Sequence, residues 1–113
     1  MEKSFNFSIK IIELYKKLIY QKEYIISKQL LRSATSIGAN IMESKFGISK
    51  KDFLHKLTIS LKEANETLYR LQLLQKSDFL KIIYDEYLNE INFIIAILVK
   101  IINTTKHNLT KIS

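Results

Sequence analysis

The sequence has no cysteine, no proline and only two glycines, Gly38 and Gly47, in 113 residues. Without cysteine, the chain cannot form disulfides, thiolate zinc sites, iron–sulfur clusters or a cysteine nucleophile. β-Sandwiches and β-barrels need many turns rich in glycine and proline, so the scarcity of both residues predicts long helices and an all-α fold. A single domain is expected, because 113 residues are too few for two full hydrophobic cores.

The charged residues are unevenly distributed along the chain. The 18 Lys and Arg outnumber the 11 Asp and Glu, which gives a formal net charge of +7. Residues 1–62 hold 12 basic and 5 acidic side chains and residues 63–113 hold 6 of each, so the first part carries the whole excess. A concentrated positive charge favours binding to a polyanion such as RNA, DNA or an acidic membrane surface. The alternative is that the lysines only form a solvated surface without a binding role.

No secretory signal is visible at the start of the chain, where Glu2, Lys3 and Lys10 interrupt the apolar residues. The predicted location is therefore the cytoplasm. The most apolar run, residues 91–102, is 12 residues long and includes Lys100. Crossing a bilayer takes about 20 apolar residues, so we expect this run to lie in the core or in a subunit interface, with no membrane partner.

Apolar residues recur at three- and four-residue spacings and predict four amphipathic helices in one domain, 1–113, at about residues 4–20, 27–45, 50–76 and 82–106. Short connections favour neighbouring helices of opposite direction, and the predicted fold is an antiparallel up-and-down four-helix bundle. The hydroxyl of Ser27 is expected to cap the second helix. Gly47 is expected to end that helix in a left-handed conformation.

The fourth predicted helix is apolar over more of its circumference than a bundle can bury. Leu88, Ile95 and Ile102 lie beside its main apolar stripe. Because a bundle of this size covers about one stripe per helix, these three residues are predicted to meet other copies of the chain in a homo-oligomer.

The candidate nucleic-acid-binding residues all lie in the basic part of the chain and are Lys10, Lys16, Lys17, Arg32, Lys45, Lys50, Lys51 and Lys56. Lysine offers a flexible point charge, and arginine offers a planar fork that fits phosphate oxygens. Four aromatic residues are candidates for stacking on bases, although packing in the core is the preferred prediction for each: Tyr15, Tyr20, Tyr24 and Phe46.

Five polar residues are predicted to form a buried structural network that fixes helix register: Arg32, Asn40, Glu43, Glu63 and Glu66. Asp52 and His55 have a spacing that can present two metal ligands, but di-iron bundles need such a pair on two helices and further glutamates. We therefore expect no metal and no cofactor. Without a glycine-rich phosphate loop or a supported Ser, His and acid constellation, no catalytic residue and no enzyme activity are predicted.

Two blocks of sequence carry a family resemblance. The residues in the second predicted helix are Ser27, Gln29, Leu30, Arg32, Ala34, Ile37, Asn40, Ile41 and Glu43, and those in the third are Glu63, Ala64, Asn65, Glu66, Thr67, Tyr69, Leu71 and Leu74. These blocks and their separation resemble the small four-helix-bundle proteins called 23S rRNA intervening sequence proteins, or the S23 family. The resemblance covers about residues 8–104, and Arg70 stands where the family frequently has tryptophan.

The resemblance implies both assembly and function. Members of the family and a relative, the accessory variability determinant of diversity-generating retroelements, form ring-like homopentamers, and that relative has a basic nucleic-acid-binding surface and partners a reverse transcriptase. The first hypothesis is thus a non-catalytic, RNA-binding or RNA-associated scaffold that assembles as a pentamer. The alternative is a retroelement adaptor that binds a reverse transcriptase and nucleic acid. A gene within a ribosomal RNA spacer would favour the first, and a neighbouring reverse transcriptase gene would favour the second.

Overall fold

A computed structural model describes residues 2–77 and 80–112, and within these residues it contains four α-helices and no β-strand. The helices are α1 (Glu2–Tyr20), α2 (Ile26–Ser44), α3 (Lys50–Ser77) and α4 (Asp85–Ile112). They form a rod of 53 × 21 × 21 Å. The all-α prediction with four helices is confirmed.

Two hydrogen bonds of α3 side chains connect this helix to α2. The hydroxyl of Thr67 donates to the hydroxyl of Ser33 at 2.9 Å, whereas Ser60, seven residues earlier in α3, donates to the carbonyl of Ile37 in α2. The contact between α2 and α3 is the most extensive in the molecule, and that between α1 and α4 is the smallest.

The core is one cluster of buried residues at the three- and four-residue spacings of the predicted stripes. Its members are Phe7, Ile11, Leu14, Leu18, Leu30, Ala34, Ile37, Ile41, Leu57, Ala64, Leu71, Leu74, Tyr84, Ile91, Ile94, Leu98 and Ile102. Every helix contributes at least one aliphatic residue that is fully buried. Removal of this apolar surface from water is the main contribution to the stability of the bundle.

The turn after α1 is made without glycine. Lys22 has a positive φ of 66°. Its amide donates to the carbonyl of Ile19, and the amide of Glu23 donates to the carbonyl of Leu18, each at 2.9 Å. This is the Schellman pattern, in which the amide of a left-handed residue and the amide of the residue after it donate to carbonyls of the last helical turn. The sequence had no glycine to mark this helix end, because lysine occupies the left-handed position.

The start of α2 is capped by Glu23, not by Ser27 as the sequence predicted. The Glu23 carboxylate accepts hydrogen bonds from the amides of Ile25, Ile26 and Ser27 at 3.2, 2.9 and 2.6 Å. The Ser27 hydroxyl instead donates to the carbonyl of Glu23 at 2.6 Å. Burial raises the pKa of Glu23, but the amide hydrogen bonds outweigh burial and hold this pKa below its ordinary value of 4.5.

Replacing Glu23 with alanine is expected to lower the free energy of unfolding by about 1 kcal/mol at neutral pH, because three amides at a helix start lose their acceptor. A carboxyl with a depressed folded-state pKa stabilises the fold above its unfolded pKa, and this contribution is lost as the pH falls through the folded value. Urea unfolding at pH 7 and at pH 3 checks both points, and the difference between wild type and Glu23→Ala should shrink at pH 3.

Glu13 provides the matched control for that prediction. It is exposed, it contacts only Lys16 among its possible ionic partners in the described chain, and Glu13→Ala should change stability by less than about 0.5 kcal/mol. An equal loss in the two variants, or an undiminished difference at pH 3, would contradict the capping role of Glu23.

The fourth helix differs from its prediction in bounds and in its exposed face. It begins at Asp85, three residues later than expected, and continues to Ile112. Ile102 was predicted to face other subunits, but it is 5% exposed and belongs to the core, and Leu88 and Ile95 are half-buried against that core. The predicted interface residues therefore lie on the inner side of α4, since the helix is rotated in the bundle relative to the assumed stripe.

The exposed apolar residues of α4 lie on a neighbouring side of the helix. Phe93, Ile97 and Ile101 follow one another at four-residue steps and are all exposed, and we call them the α4 stripe. By length and composition alone, residues 85–111 of α4 would also be able to cross a membrane, although one such helix is weak evidence and core helices of soluble proteins pass the same test.

Candidate nucleic-acid interface

The connection between α2 and α3 presents basic residues on a backbone held by hydrogen bonds. The amides of Phe46 and Gly47 donate to the carbonyls of Glu43 and Ser44 at 3.1 and 3.2 Å. At the other end of the connection, the hydroxyl of Ser49 accepts from the amide of Asp52 at 3.2 Å and caps α3. The five residues between the helices are therefore fixed at both ends.

Gly47 gives this connection a close packing contact and not a left-handed backbone. No glycine in the described chain has a positive φ, so the left-handed prediction is wrong. A Cβ at Gly47 would lie 3.1 Å from the Cβ of Asp52, 3.2 Å from the amide nitrogen of Phe53 and 3.3 Å from the carbonyl oxygen of Ser44. Two of these atoms belong to the backbone, so a side chain at residue 47 would push the first turn of α3 and the end of α2 apart by a few tenths of an ångström.

Three of the predicted nucleic-acid-binding lysines lie at this connection and have no carboxylate partner in the described residues. Lys45, Lys50 and Lys51 are exposed and take part in none of the ion pairs. We call them the loop lysines. Lys56 lies one turn further along α3 and pairs with Glu43 at 3.0 Å. Unpaired ammonium groups on a fixed loop can meet phosphate oxygens without breaking an existing ion pair.

The remaining predicted basic residues do not join the loop lysines. Lys16 and Lys17 are in the last turns of α1, and the 19 residues of α2 separate that end from the loop lysines by about 28 Å. Lys10 bonds the carboxylates of Glu86 and Glu90 on α4. These two hydrogen bonds raise the pKa of Lys10 above its ordinary value, so it stays charged but is already neutralised.

Arg32 belongs to a polar network between α2 and α3. Its guanidinium contacts Glu63 at 3.0 Å and Glu66 at 3.5 Å, and Glu66 also accepts from Arg70 at 3.4 Å. Nη1 of Arg70 is buried without a hydrogen-bond partner among the described atoms. The network thus also contains Arg70, whose spacing from Glu66 in the sequence fits an ion pair across one helical turn.

Two members of the predicted network lie outside it. The side-chain amide of Asn40 donates to the carbonyl of Ser36 within α2 at 2.8 Å, and Glu43 pairs with Lys56. Both positions are further along α2 than Arg32, where the facing residues of α3 are different. Of the predicted five-residue network, only Arg32, Glu63 and Glu66 are joined, while Glu43 pairs elsewhere along the α2–α3 contact and Asn40 bonds within its own helix.

Three of the four candidate stacking aromatics are exposed. Tyr20, Tyr24 and Phe46 are exposed, with Phe46 at 82%, and Tyr15 is half-buried on α1. The preferred prediction that these side chains pack in the core is wrong for the three exposed residues. They lie at the ends of helices or in connections, beyond the reach of the facing helices, which a helical periodicity does not reveal.

The spacing of Asp52 and His55 does not extend to a metal site in the described residues, which contain no group of three or more His, Asp or Glu side chains that could hold a metal ion. Both residues instead line a concavity of about 340 Å³ beside the loop lysines, with Phe46 and Ile48. Ile48 is 98% exposed and was not singled out in the sequence.

A second exposed apolar surface lies between α1 and α2. A groove of about 350 Å³ between α1 and α2 is lined mainly by apolar side chains, and we call it the α1–α2 groove: Phe5, Ile9, Ile12, Ala39 and Met42. Phe5, Ile9 and Met42 are exposed in the single chain. This groove could not be predicted from the sequence, because its residues have the same spacing as core residues.

Comparisons with known proteins agree with the helical architecture. The family model of the 23S rRNA-intervening sequence protein matches residues 1–100. A crystal structure of a protein of unknown function from the S23 ribosomal protein family of Bacteroides thetaiotaomicron is 47% identical, with a TM-score of 0.87 over 89% of this chain and 95% of that one. No curated protein matches the sequence. The match over nearly the whole bundle shows that the chain belongs to the 23S rRNA-intervening sequence protein family.

Proposed function

We propose that the protein is a non-catalytic, cytoplasmic RNA-binding scaffold in which antiparallel up-and-down four-helix bundles assemble as a homopentameric ring. The observation that carries the RNA-binding part is the group of three loop lysines without carboxylate partners, of which Lys45 lies in the connection and Lys50 and Lys51 begin α3. The name of the family to which the chain belongs directs attention to ribosomal RNA.

The opposite order of contacts along neighbouring helices supports the up-and-down topology. Ser33 and Ile37 of α2 meet Thr67 and Ser60 of α3, and the hydroxyl of Ser8 in α1 donates to Ala34 in α2 at 3.4 Å. Connections of five residues between α1 and α2 and between α2 and α3 are typical of neighbours that reverse direction.

Two different apolar surfaces on one chain support assembly into a closed ring. Phe93, Ile97 and Ile101 of the α4 stripe are exposed in the single chain, and so are Phe5, Ile9 and Met42 of the α1–α2 groove. When two different surfaces of identical chains meet, each chain offers one surface to each neighbour, and the assembly closes as a ring if the rotation between neighbours permits. A pentamer would repeat the loop lysines five times, and 5 × 7 gives a formal charge of +35.

Replacing Lys50 and Lys51 together with glutamate is expected to lower the affinity for a structured ribosomal RNA fragment at least tenfold. The change removes two positive charges and adds two negative charges per chain at the proposed contact. Fluorescence anisotropy at two salt concentrations measures it. Wild-type affinity should fall steeply with salt, and the variant should have a shallower salt dependence because it neutralises fewer phosphates.

Lys16 and Lys17 provide a matched control. They are also consecutive lysines, and they lie in the last turns of α1, about 28 Å from the loop lysines. Lys16→Glu/Lys17→Glu makes the same change of net charge, and it should reduce the affinity less than threefold. Equal losses in both double variants would show that net charge alone attracts RNA, and no loss in the Lys50→Glu/Lys51→Glu variant would contradict the proposed face. Salt-independent binding to a reverse transcriptase instead of RNA would favour the adaptor hypothesis.

A further inference from the structure

The concavity beside the loop lysines has an exposed apolar wall. Phe46 and Ile48 line it together with Glu43, Asp52, His55 and Lys56, and we call it the loop concavity. Phe46 and Ile48 are 82% and 98% exposed, although burying side chains of this size removes about 1.5 to 3 kcal/mol of unfavourable hydration each. Exposed apolar residues in the connection between α2 and α3 are available to bind a ligand with an apolar face.

Backbone contacts hold the segment that carries Phe46 and Ile48 in place without a ligand. The amide of Phe46 bonds the carbonyl of Glu43, and the tight approach of Gly47 to the first turn of α3 fixes the backbone between the two apolar side chains. A ligand that packs on Phe46 therefore does not have to order the loop first, so less of the interaction is lost to conformational entropy.

The loop concavity carries charges of both signs. Glu43, Asp52 and Lys56 line it, Glu43 and Lys56 form an ion pair at 3.0 Å, and the loop lysines are close to the lining residues in sequence. Together these residues carry four positive and two negative charges, and 4 − 2 gives +2. A carboxylate in the concavity repels a phosphate but accepts hydrogen bonds from the amino groups of nucleobases, while the loop lysines attract the backbone phosphates.

We infer that the loop concavity binds an unpaired base of single-stranded RNA, which stacks on Phe46 while the loop lysines hold the flanking phosphates. This inference rests on the proposed function and names the form of RNA that is recognised. A base inside a duplex has no free face, so the ring of Phe46 can stack only on a base that is unpaired. His55 and the two carboxylates then face the edge of that base.

Phe46→Trp provides a direct probe, because the chain contains no tryptophan and the new side chain would be its only indole fluorophore. Titration with a 12-nucleotide single-stranded RNA is expected to quench this fluorescence by stacking, and a duplex of the same length should leave it nearly unchanged. Quenching by both RNAs to the same extent, or by neither while anisotropy reports binding, would overturn the inference.

Phe46→Ala tests the contribution of the ring to affinity, and the exposure of Phe46 makes a loss of folding unexpected, which circular dichroism checks. Stacking one base contributes about 1 to 3 kcal/mol, so the single-stranded RNA should bind roughly five- to a hundredfold more weakly, whereas duplex affinity should change less than twofold. The salt dependence should stay the same, because no phosphate contact is removed.

Tyr20→Ala is the matched control, since Tyr20 is another exposed aromatic residue near lysines but lies at the connection between α1 and α2. It should leave single-stranded RNA affinity within twofold of wild type. Equal losses in both variants would overturn the assignment to the loop concavity. So would a Phe46→Ala variant that binds both RNAs normally but loses binding to vesicles of anionic phospholipid.

The two proposals fail in different ways. If Lys50→Glu/Lys51→Glu leaves all RNA binding unchanged, the proposed function is wrong and the base-binding inference falls with it. If that double variant loses RNA binding but Phe46→Ala does not weaken the single-stranded complex, only the base-binding inference is wrong.

Discussion

Replacing Ile97 with aspartate is expected to convert the proposed homo-oligomer into single chains of 13.3 kDa. Ile97 is at the centre of the α4 stripe, between Phe93 and Ile101, and is 39% exposed in the single chain. In the proposed ring it lies against the α1–α2 groove of the next copy, and the aspartate would place a charge without a partner in an apolar interface. The cost is about 3 kcal/mol or more at every interface, and it is repeated around the ring.

The measurement for Ile97→Asp is native mass spectrometry together with sedimentation at micromolar concentration, with circular dichroism to verify that the helices remain. Ile83→Asp is the matched control, because Ile83 is 78% exposed and lies before α4, outside the stripe. The control should keep the wild-type mass, which is five times that of one chain for a pentamer. A wild-type protein that is monomeric at micromolar concentration would contradict the ring, as would an Ile97→Asp variant of unchanged mass.

Leu71→Ala is expected to destabilise the bundle by about 2 to 5 kcal/mol. Leu71 is fully buried in α3, and shortening its side chain loses the transfer free energy of the removed atoms and leaves a cavity that the neighbouring helices fill only in part. Domains of this size have total stabilities of roughly 5 to 15 kcal/mol, so one such cavity removes a large fraction of the total.

Leu73→Ala makes the same chemical change two residues along the same helix, where the leucine is 38% exposed. We expect this variant to lose less than about 1 kcal/mol, since water already reaches much of the side chain. Urea unfolding of both variants at one protein concentration compares them, because the stability of an oligomer depends on concentration. Similar losses for the two variants would contradict the placement of Leu71 in the core.

The core was largely visible in the sequence. Stripes at three- and four-residue spacing depend only on the geometry of a single helix, and such stripes place Leu30, Ala34 and Ile37 on one face of α2 before any partner is known. The ends of the helices were harder to predict from the sequence. Glu23 caps α2 from before the helix begins, and Lys22 takes a conformation that is usually left to glycine, so neither followed the residue preferences from which a boundary is predicted.

The sequence predicted the residue types of the candidate site but not which of these residues lie together. The excess of lysine in residues 1–62 identified a basic surface, yet the predicted set includes Lys10 and Arg32, whose partners Glu86 and Glu63 are 76 and 31 residues away in sequence. An ion pair between distant positions is created by packing, and composition does not reveal it. The loop lysines differ from Lys10 and Arg32 because they form no ion pair with any carboxylate of the described residues.

The sequence by itself determined the all-α class, the four helices and the sign of the charge, since these follow from residue types and from spacings within one helix. Only the tertiary structure decided which side of α4 is left uncovered, which lysines are neutralised and where Phe46 is presented. These outcomes depend on how each helix is rotated against its neighbours. A rotation of a few tens of degrees moves Ile102 into the core while the spacing of the apolar residues stays the same.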